Sequence, residues 1–235
     1  MAATTAVVRT GDGLKELLQQ AHDGRIQVPE FQRETTPGDG WITSLIASVS
    51  LNYPIGAVML LRAGDPETRF ESRPIVGAPM SSPVPEWLLI DGRQRITSLY
   101  QVLSSGRLRY YLDINACLDP NVDRDEAVMS VPEETDLGTT ESEWERCVFP
   151  LHLIFGPDAE RRRWQRGFVE HGNDAGMRER LMDQFGTEVL EVFGGYVVPA
   201  IALGQETTRW SVRVHGGPDG PSLSDRFRRT DGASR

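Results

Sequence analysis

The apolar run Trp87-Leu-Leu-Ile90 ends in Asp91-Gly92 and passes with no intervening loop into a segment where Ile96, Leu99, Val102 and Leu103 recur at helical spacing, to about Ser105. A strand that becomes a helix across one glycine leaves the chain few options: the glycine takes the sharp turn, and the helix begins at the strand's end. Without a Cβ at Gly92, a ligand can come close to the backbone there. The first amides of the new helix find no acceptor inside it, and together with the helix dipole they favour an anion. Arg93, Gln94 and Arg95 lie on this first turn. Arg93 and Arg95 point in different directions, so at most one of them joins Asp91 at a ligand while the other tethers a neighbouring element. The expectation is Arg95 at the ligand, with Gln94 orienting a water or holding a phosphate oxygen. Spacing by itself also allows a plainer account, in which Asp91 caps the helix and Arg95 is a surface arginine. Gln32-Arg33 follows a second strand-like stretch and repeats the Gln-Arg pair, which strengthens the ligand reading.

Asp12 is expected to cap a helix over residues 13 to 22, on which Leu14, Leu17, Leu18 and Ala21 share a face, with Gly24 ending it. Arg25 to Val28 is an extended segment stopped by Pro29. Pro37-Gly-Asp-Gly40 is a loop before a second helix that begins near Trp41 and places Trp41, Leu45, Ile46 and Val49 on one face. Asn52-Tyr-Pro54 turns the chain into Ile55 to Leu61, a short branched run suited to a buried strand. Residues 62 to 86 hold Pro66, Pro74, Pro79, Pro83 and Pro85 and are expected as an irregular insertion. Farther on, Arg107 to Ile114 alternates as a strand, Val148 to Phe155 is apolar, two or three helices occupy 157 to 194, and Tyr196 to Leu203 is extended. The expected architecture is α+β: a compact N-terminal part over 1–114, an acidic loop over 115–147, and a helical extension over 148–235 that packs on the first part.

Lys15 is the one lysine among 25 basic residues. Neither a phosphate loop of the Gly-x-x-x-x-Gly-Lys-Ser/Thr type nor a kinase-like lysine after a glycine loop can therefore be written in this chain. Any nucleotide site rests on arginine and backbone amides. The formal charge of −9 argues against a protein that coats nucleic acid non-specifically. Arg161-Arg162-Arg163 with Arg166, and Arg226, Arg228 and Arg229, are read as solvated faces or as a local basic groove. Cys117 and Cys147 are too few for a four-ligand zinc site and are expected as free thiols. No stretch approaches about eighteen apolar residues and the N-terminus lacks a secretory pattern, so the expected location is the cytoplasm, with no membrane partner.

Four segments in order, Ile26-Gln-Val-Pro-Glu-Phe-Gln-Arg33, Trp41 opening a helix, Asn52-Tyr-Pro-Ile-Gly56 and Ile90-Asp-Gly-Arg-Gln-Arg-Ile-Thr97, resemble the ParB-like N-terminal domain family with an Asp-Gly-Gln-Gln-Arg motif. That domain occurs in GmrSD-type modification-dependent restriction enzymes and in SspE-type phage-defence proteins of phosphorothioate-modified hosts. The resemblance covers residues 12 to about 105, with Arg93 where the family usually has glutamine. It implies a ParB/sulfiredoxin-like α+β domain that binds and hydrolyses a nucleoside triphosphate, GTP favoured, with Mg²⁺ or another divalent cation. Carried over position by position, it implicates Asp91, Gly92, Gln94 and Arg95 and, in the first motif, Pro29, Phe31, Gln32 and Arg33; Asp91, Gln94 and Arg95 are expected in catalysis, and Gly92, Gln32 and Arg33, with Arg93 and Thr97 beside them, in holding phosphate. Asp91 would hold the metal, and the arginines would neutralise charge on the transferred phosphoryl group. Pro29 and Phe31 are expected to sense a DNA modification, the apolar ring of Phe31 favouring a sulfur-substituted phosphate; a core phenylalanine is the plainer account.

Family members commonly carry a His-Asn-His nuclease domain after this one. Here His22, His152, His171 and His215 are scattered without metal-ligand spacing, so the nuclease is expected in another polypeptide or in a part missing from this chain. A late family stretch has its nearest counterpart in Arg213-Val-His-Gly-Gly217 with Leu223-Ser224, where His215 replaces asparagine and residues are inserted. The expected function is a nucleotide hydrolase and DNA-modification sensor in anti-phage defence, with DNA, modified or unmodified, as partner. Two alternatives stand beside it: a non-catalytic module that binds nucleotide or DNA phosphate, and a ParB-like nuclease.

Overall fold

The structure is a computed structural model and describes residues 6–32, 37–63, 71–79, 84–131, 139–172 and 174–203. A mixed six-stranded sheet organises it. In spatial order it runs β1 (Ala6–Gly13), β9 (Val197–Leu203), β3 (Val58–Arg62), β5 (Trp87–Asp91), β2 (Ile26–Pro29) and β4 (Ser72–Arg73). The pairs β9/β3 and β5/β2 are parallel, and the other three are antiparallel. The α+β expectation is met.

Helices α1 (Leu14–His22), α2 (Asp39–Ser50) and α3 (Arg93–Leu103) supply the apolar layer. Leu14, Leu17, Leu18 and Ala21 of α1, Ile42, Leu45, Ile46 and Val49 of α2, and Ile96, Leu99, Val102 and Leu103 of α3 all join one buried cluster. It also contains Val58, Leu60 and Leu89 from the sheet. On the other face Leu61, Leu88 and Ile90 are buried with Met59, Ala63 and Leu203. A strand covered on both faces has no polar side to show, which is why Trp87 to Ile90 reads as a continuous apolar run.

Several boundaries fall elsewhere than the periodicity places them. Gly13, not Asp12, precedes α1, and no side chain caps it; the Leu14 amide instead donates to the Tyr196 carbonyl at 2.7 Å. Trp41 is half-exposed and does not join the buried face of α2. The described residues of the 115–147 segment are not all loop. They include most of α4 (Ile114–Leu118), β7 (Val128–Ser130) and α5 (Thr140–Glu145), and β7 and β8 (Val148–Pro150) flank β6 (Tyr110–Asp113) in a small antiparallel sheet. Three-residue strands are too short to show a period.

Beyond a turn of 3₁₀ helix at Leu151–Leu153 come α6 (Asp158–Glu170), α7 (Ala175–Phe185), a π turn at Gly186–Leu190 and α8 (Glu191–Gly195). Trp164, Phe168, Phe185 and Phe193 from this part belong to the same buried cluster as the first three helices. No helix among the described residues is long and apolar enough to cross a membrane.

Both cysteines are free thiols, as expected. Burial pushes the Cys117 thiol up to about 11, so its thiolate fraction is very small at pH 8. Alkylation with iodoacetamide at that pH, read by peptide mass, is expected to spare Cys117 until the protein is unfolded.

Candidate functional site

Strand β5 ends at Asp91, and Gly92 turns the chain into α3 with φ 85° and ψ 11°. A Cβ at this position would lie 2.7 Å from Val58 Cγ1, so β3 closes the space that a side chain would need. Gly92 occupies the N-cap position with no side-chain cap, and Asp91 does not cap the helix. Its carboxylate, 58% exposed, stands 3.7 Å from Arg95 Nη2.

Arg95 is 19% exposed and spends its guanidinium on the neighbouring loop. Nη1 donates to the Ile55 carbonyl at 2.6 Å and Nη2 to the Ala57 carbonyl at 3.1 Å. Gly56, at φ 86°, makes room for this contact, because a Cβ there would sit 2.6 Å from Nη1. From the other side the Tyr196 hydroxyl donates to the Tyr53 carbonyl (2.6 Å) and accepts the Ile55 amide (3.2 Å). Burial raises the Tyr196 phenol above its ordinary value, against the opposing pull of the Ile55 amide and Arg95, which keeps the donor proton in place. Asn52-Tyr-Pro-Ile-Gly56 is thus a clamped loop, entered through Asn52 at φ 56°. Arg95 does the tethering that the sequence assigned to its neighbour.

The first motif is stitched to the same strand. Gln32, 9% exposed, donates from Nε2 to the Ile90 carbonyl at 2.8 Å and the Leu89 carbonyl at 3.3 Å, and its own carbonyl accepts from Arg73 Nη2 at 3.2 Å. Its role in the structure is to anchor the turn after β2 to the end of β5. Pro29 is buried and pairs with Ser72. Phe31 is 36% exposed. Arg33 lies outside the described residues, as do His215, the Arg213 to Ser224 stretch and the arginines from Arg226 onward.

The opposite face of α3 lines a cavity of about 580 Å³. Arg93, Gln94 and Thr97 face it from the helix's first turns, followed by Ser98 and Gln101. These positions recur one and four residues apart, so they form one stripe that excludes Arg95. Arg73 enters from β4 and Arg107 from the segment after α3, while Val28, Pro74, Val76 and Leu108 supply apolar wall. Three arginines and no carboxylate appear among the described lining residues. With the positive end of the α3 dipole at the same mouth, the cavity is built for an anion.

The structure therefore divides the expected set. Arg93, Gln94 and Thr97 share the cavity, whereas Asp91, Gly92 and Arg95 form the turn and its clamp, and Gln32 is an anchor. Arg73 and Arg107 were not anticipated: one sits in the proline-rich segment and the other beyond the helix, and neither has a local motif. Among the described arginines of the 161–166 cluster, Arg161 binds the Ile154 carbonyl and Asp158, while Arg162, Arg163 and Arg166 are exposed. No group of three or more His, Cys, Asp or Glu able to hold a metal occurs among the described residues.

Two comparisons bear on this site. The family model described as GmrSD restriction endonuclease, N-terminal domain, matches residues 14–165. An uncharacterised protein of Methanocaldococcus jannaschii is 24% identical over 179 residues, which cover 67% of this chain and 31% of that protein. The matched region thus spans about a third of that curated relative's length.

Proposed function

The chain belongs to the family of GmrSD restriction endonuclease N-terminal domains, and from that premise we propose that it is the nucleotide-hydrolysing, DNA-modification-sensing part of a restriction system directed against phage. In this reading Asp91-Gly-Arg-Gln-Arg95 is the counterpart of the ParB-like Asp-Gly-Gln-Gln-Arg motif. The observation that carries the reading is the cavity on α3, where Arg93, Gln94 and Thr97 meet Arg73 at the positive end of a helix. Arg93 and Arg73 neutralise the phosphoryl oxygens, Gln94 orients the attacking water, and Thr97 donates to a phosphate oxygen. Arg95 acts through the loop it holds.

A triphosphate substrate implies a divalent cation. Asp91 offers one well-exposed carboxylate beside the N-terminus of α3, and Mg²⁺ is commonly held by one or two carboxylates together with substrate phosphates and water. Asp91 is not among the residues that line the cavity, so an ion on it would meet a substrate phosphate only outside that lining, beside the first turn of α3. When bound, the ion would neutralise charge on the phosphate oxygens. Phe31, partly exposed on a turn that Gln32 fixes to β5, is the side chain suited to an apolar, sulfur-substituted phosphate in DNA, while buried Pro29 shapes the strand behind it. The nuclease is supplied by another domain or subunit.

The test is a titration with the four nucleoside triphosphates, with and without modified DNA, read as phosphate release. Release that Asp91→Ala abolishes in protein that still melts cooperatively is the expected result. Tight nucleotide binding with no turnover would make the chain a binding module instead. Metal-dependent nicking by the purified chain would make it a nuclease.

A further inference from the structure

The cavity on α3 is longer than one phosphate cluster requires. From Arg93 to Gln101 the helix rises about 12 Å at 1.5 Å per residue, and the cavity follows it past Gln101 to Gly106, Arg107 and Leu108. Arg107 is exposed and marks the far end. Its Cδ lies 3.2 Å from the Cβ position of Gly77, so it packs on the turn after β4 that forms the opposite wall. Cations thus stand at both ends of the cleft, with the hydroxyls of Thr97 and Ser98 and the amide of Gln101 between them. Apolar Val28, Pro74 and Val76 give a ribose or base something to lie against.

A nucleoside triphosphate is anionic at one end. Held by Arg73 and Arg93, it would place a neutral base or ribose toward Arg107. We propose that the cleft is two-ended and takes a nucleotide bearing phosphate on both the 5′ and the 3′ side of its ribose, with Arg107 as the 3′-phosphate contact. This rests on the reading of the α3 N-terminus as a phosphate site, and it names the ligand class of that site. The chemistry is shared by an internal nucleotide of a DNA strand and by a free nucleotide phosphorylated at both positions.

Binding of AMP, adenosine 3′,5′-bisphosphate and the trinucleotide d(ApApA) to the wild-type chain, Arg107→Ala and Arg93→Ala tests it. The bisphosphate is expected to bind at least about tenfold more tightly than AMP, the worth of one added charge-assisted contact. Arg107→Ala should erase that margin and leave AMP binding unchanged, with cooperative melting retained because Arg107 is exposed; Arg107→Gln serves as a second variant. A margin that is absent, or that survives both Arg107 variants, overturns the two-ended cleft. In that case AMP binding that is lost in Arg93→Ala would leave the phosphate site itself standing; failure to bind any of the three probes overturns the two-ended cleft, while the triphosphate site stands or falls by the titration with the four nucleoside triphosphates. Arg107-dependent binding of d(ApApA) identifies a DNA strand as the source, and Arg107-dependent binding of the bisphosphate alone identifies a free nucleotide.

Discussion

Arg93→Ala is expected to slow phosphate release by roughly 10² to 10³, the usual cost of losing one donor aimed at developing negative charge. Arg93 lies on the first turn of α3 and faces the cavity beside Gln94 and Thr97, so in the proposed reaction its guanidinium would stand where the transferred phosphoryl group gathers charge. The folded protein should tolerate the change, with an unfolding free energy within about 1 kcal/mol of wild type. Arg93→Lys restores the charge but not the planar, two-pronged donor set, and it should recover part of the rate. Single-turnover phosphate release gives the comparison, and a wild-type rate in Arg93→Ala would remove this residue from the reaction.

Two residues along, Arg95→Ala is expected to cost stability first, by about 3 kcal/mol. Arg95 is one charged donor serving the carbonyls of Ile55 and Ala57. Hydrogen bonds to charged groups are worth about 1.5–3 kcal/mol each, with partial exposure drawing the sum toward the lower end. Gly56 has a backbone conformation and an open Cβ position that suit this guanidinium, so the loop loses the partner it is shaped around. Urea unfolding of the variant should show a lower midpoint with little change in slope. An unchanged midpoint would mean that Tyr196 holds the loop alone. The two arginines of one motif thus separate into a rate effect and a folding effect, in keeping with their places on different faces of the helix.

The strand, glycine and helix of residues 87–103 were legible because every local signal agreed: a continuous apolar run, a residue free to take φ 85°, and a regular apolar stripe. The helices α1 and α2 were legible for the same reason. What escaped depends on partners far along the chain. β1 forms because β9 lies beside it, and nothing within Ala6–Gly13 announces a strand whose partner begins at Val197. Asp12 looked like a helix cap, but the amide it would have served goes to the Tyr196 carbonyl. β4 has two residues and exists through β2.

The site shows the same division. Arg93 and Arg95 could be placed on different faces from their spacing, yet which face met the cavity was decided by Arg73 and by the carbonyls of Ile55 and Ala57. Backbone carbonyls have no letter in a sequence. Gly56 was the one local hint, since a glycine at that point allows close approach.

The place of β9 in the sheet also sets a schedule for synthesis. The cavity on α3 is built from residues between Val28 and Leu108, so its parts emerge well before Val197–Leu203 is made. β3, however, keeps one edge open, and β1 waits without a neighbour, until Val197–Leu203 has left the ribosome. An open edge on a nascent chain invites pairing with other chains, and closing it depends on a contact between distant parts of the sequence. Tyr196, which completes the clamp on the 52–57 loop, arrives in the same step. A growing chain can therefore shape its anion cleft long before it can lock it.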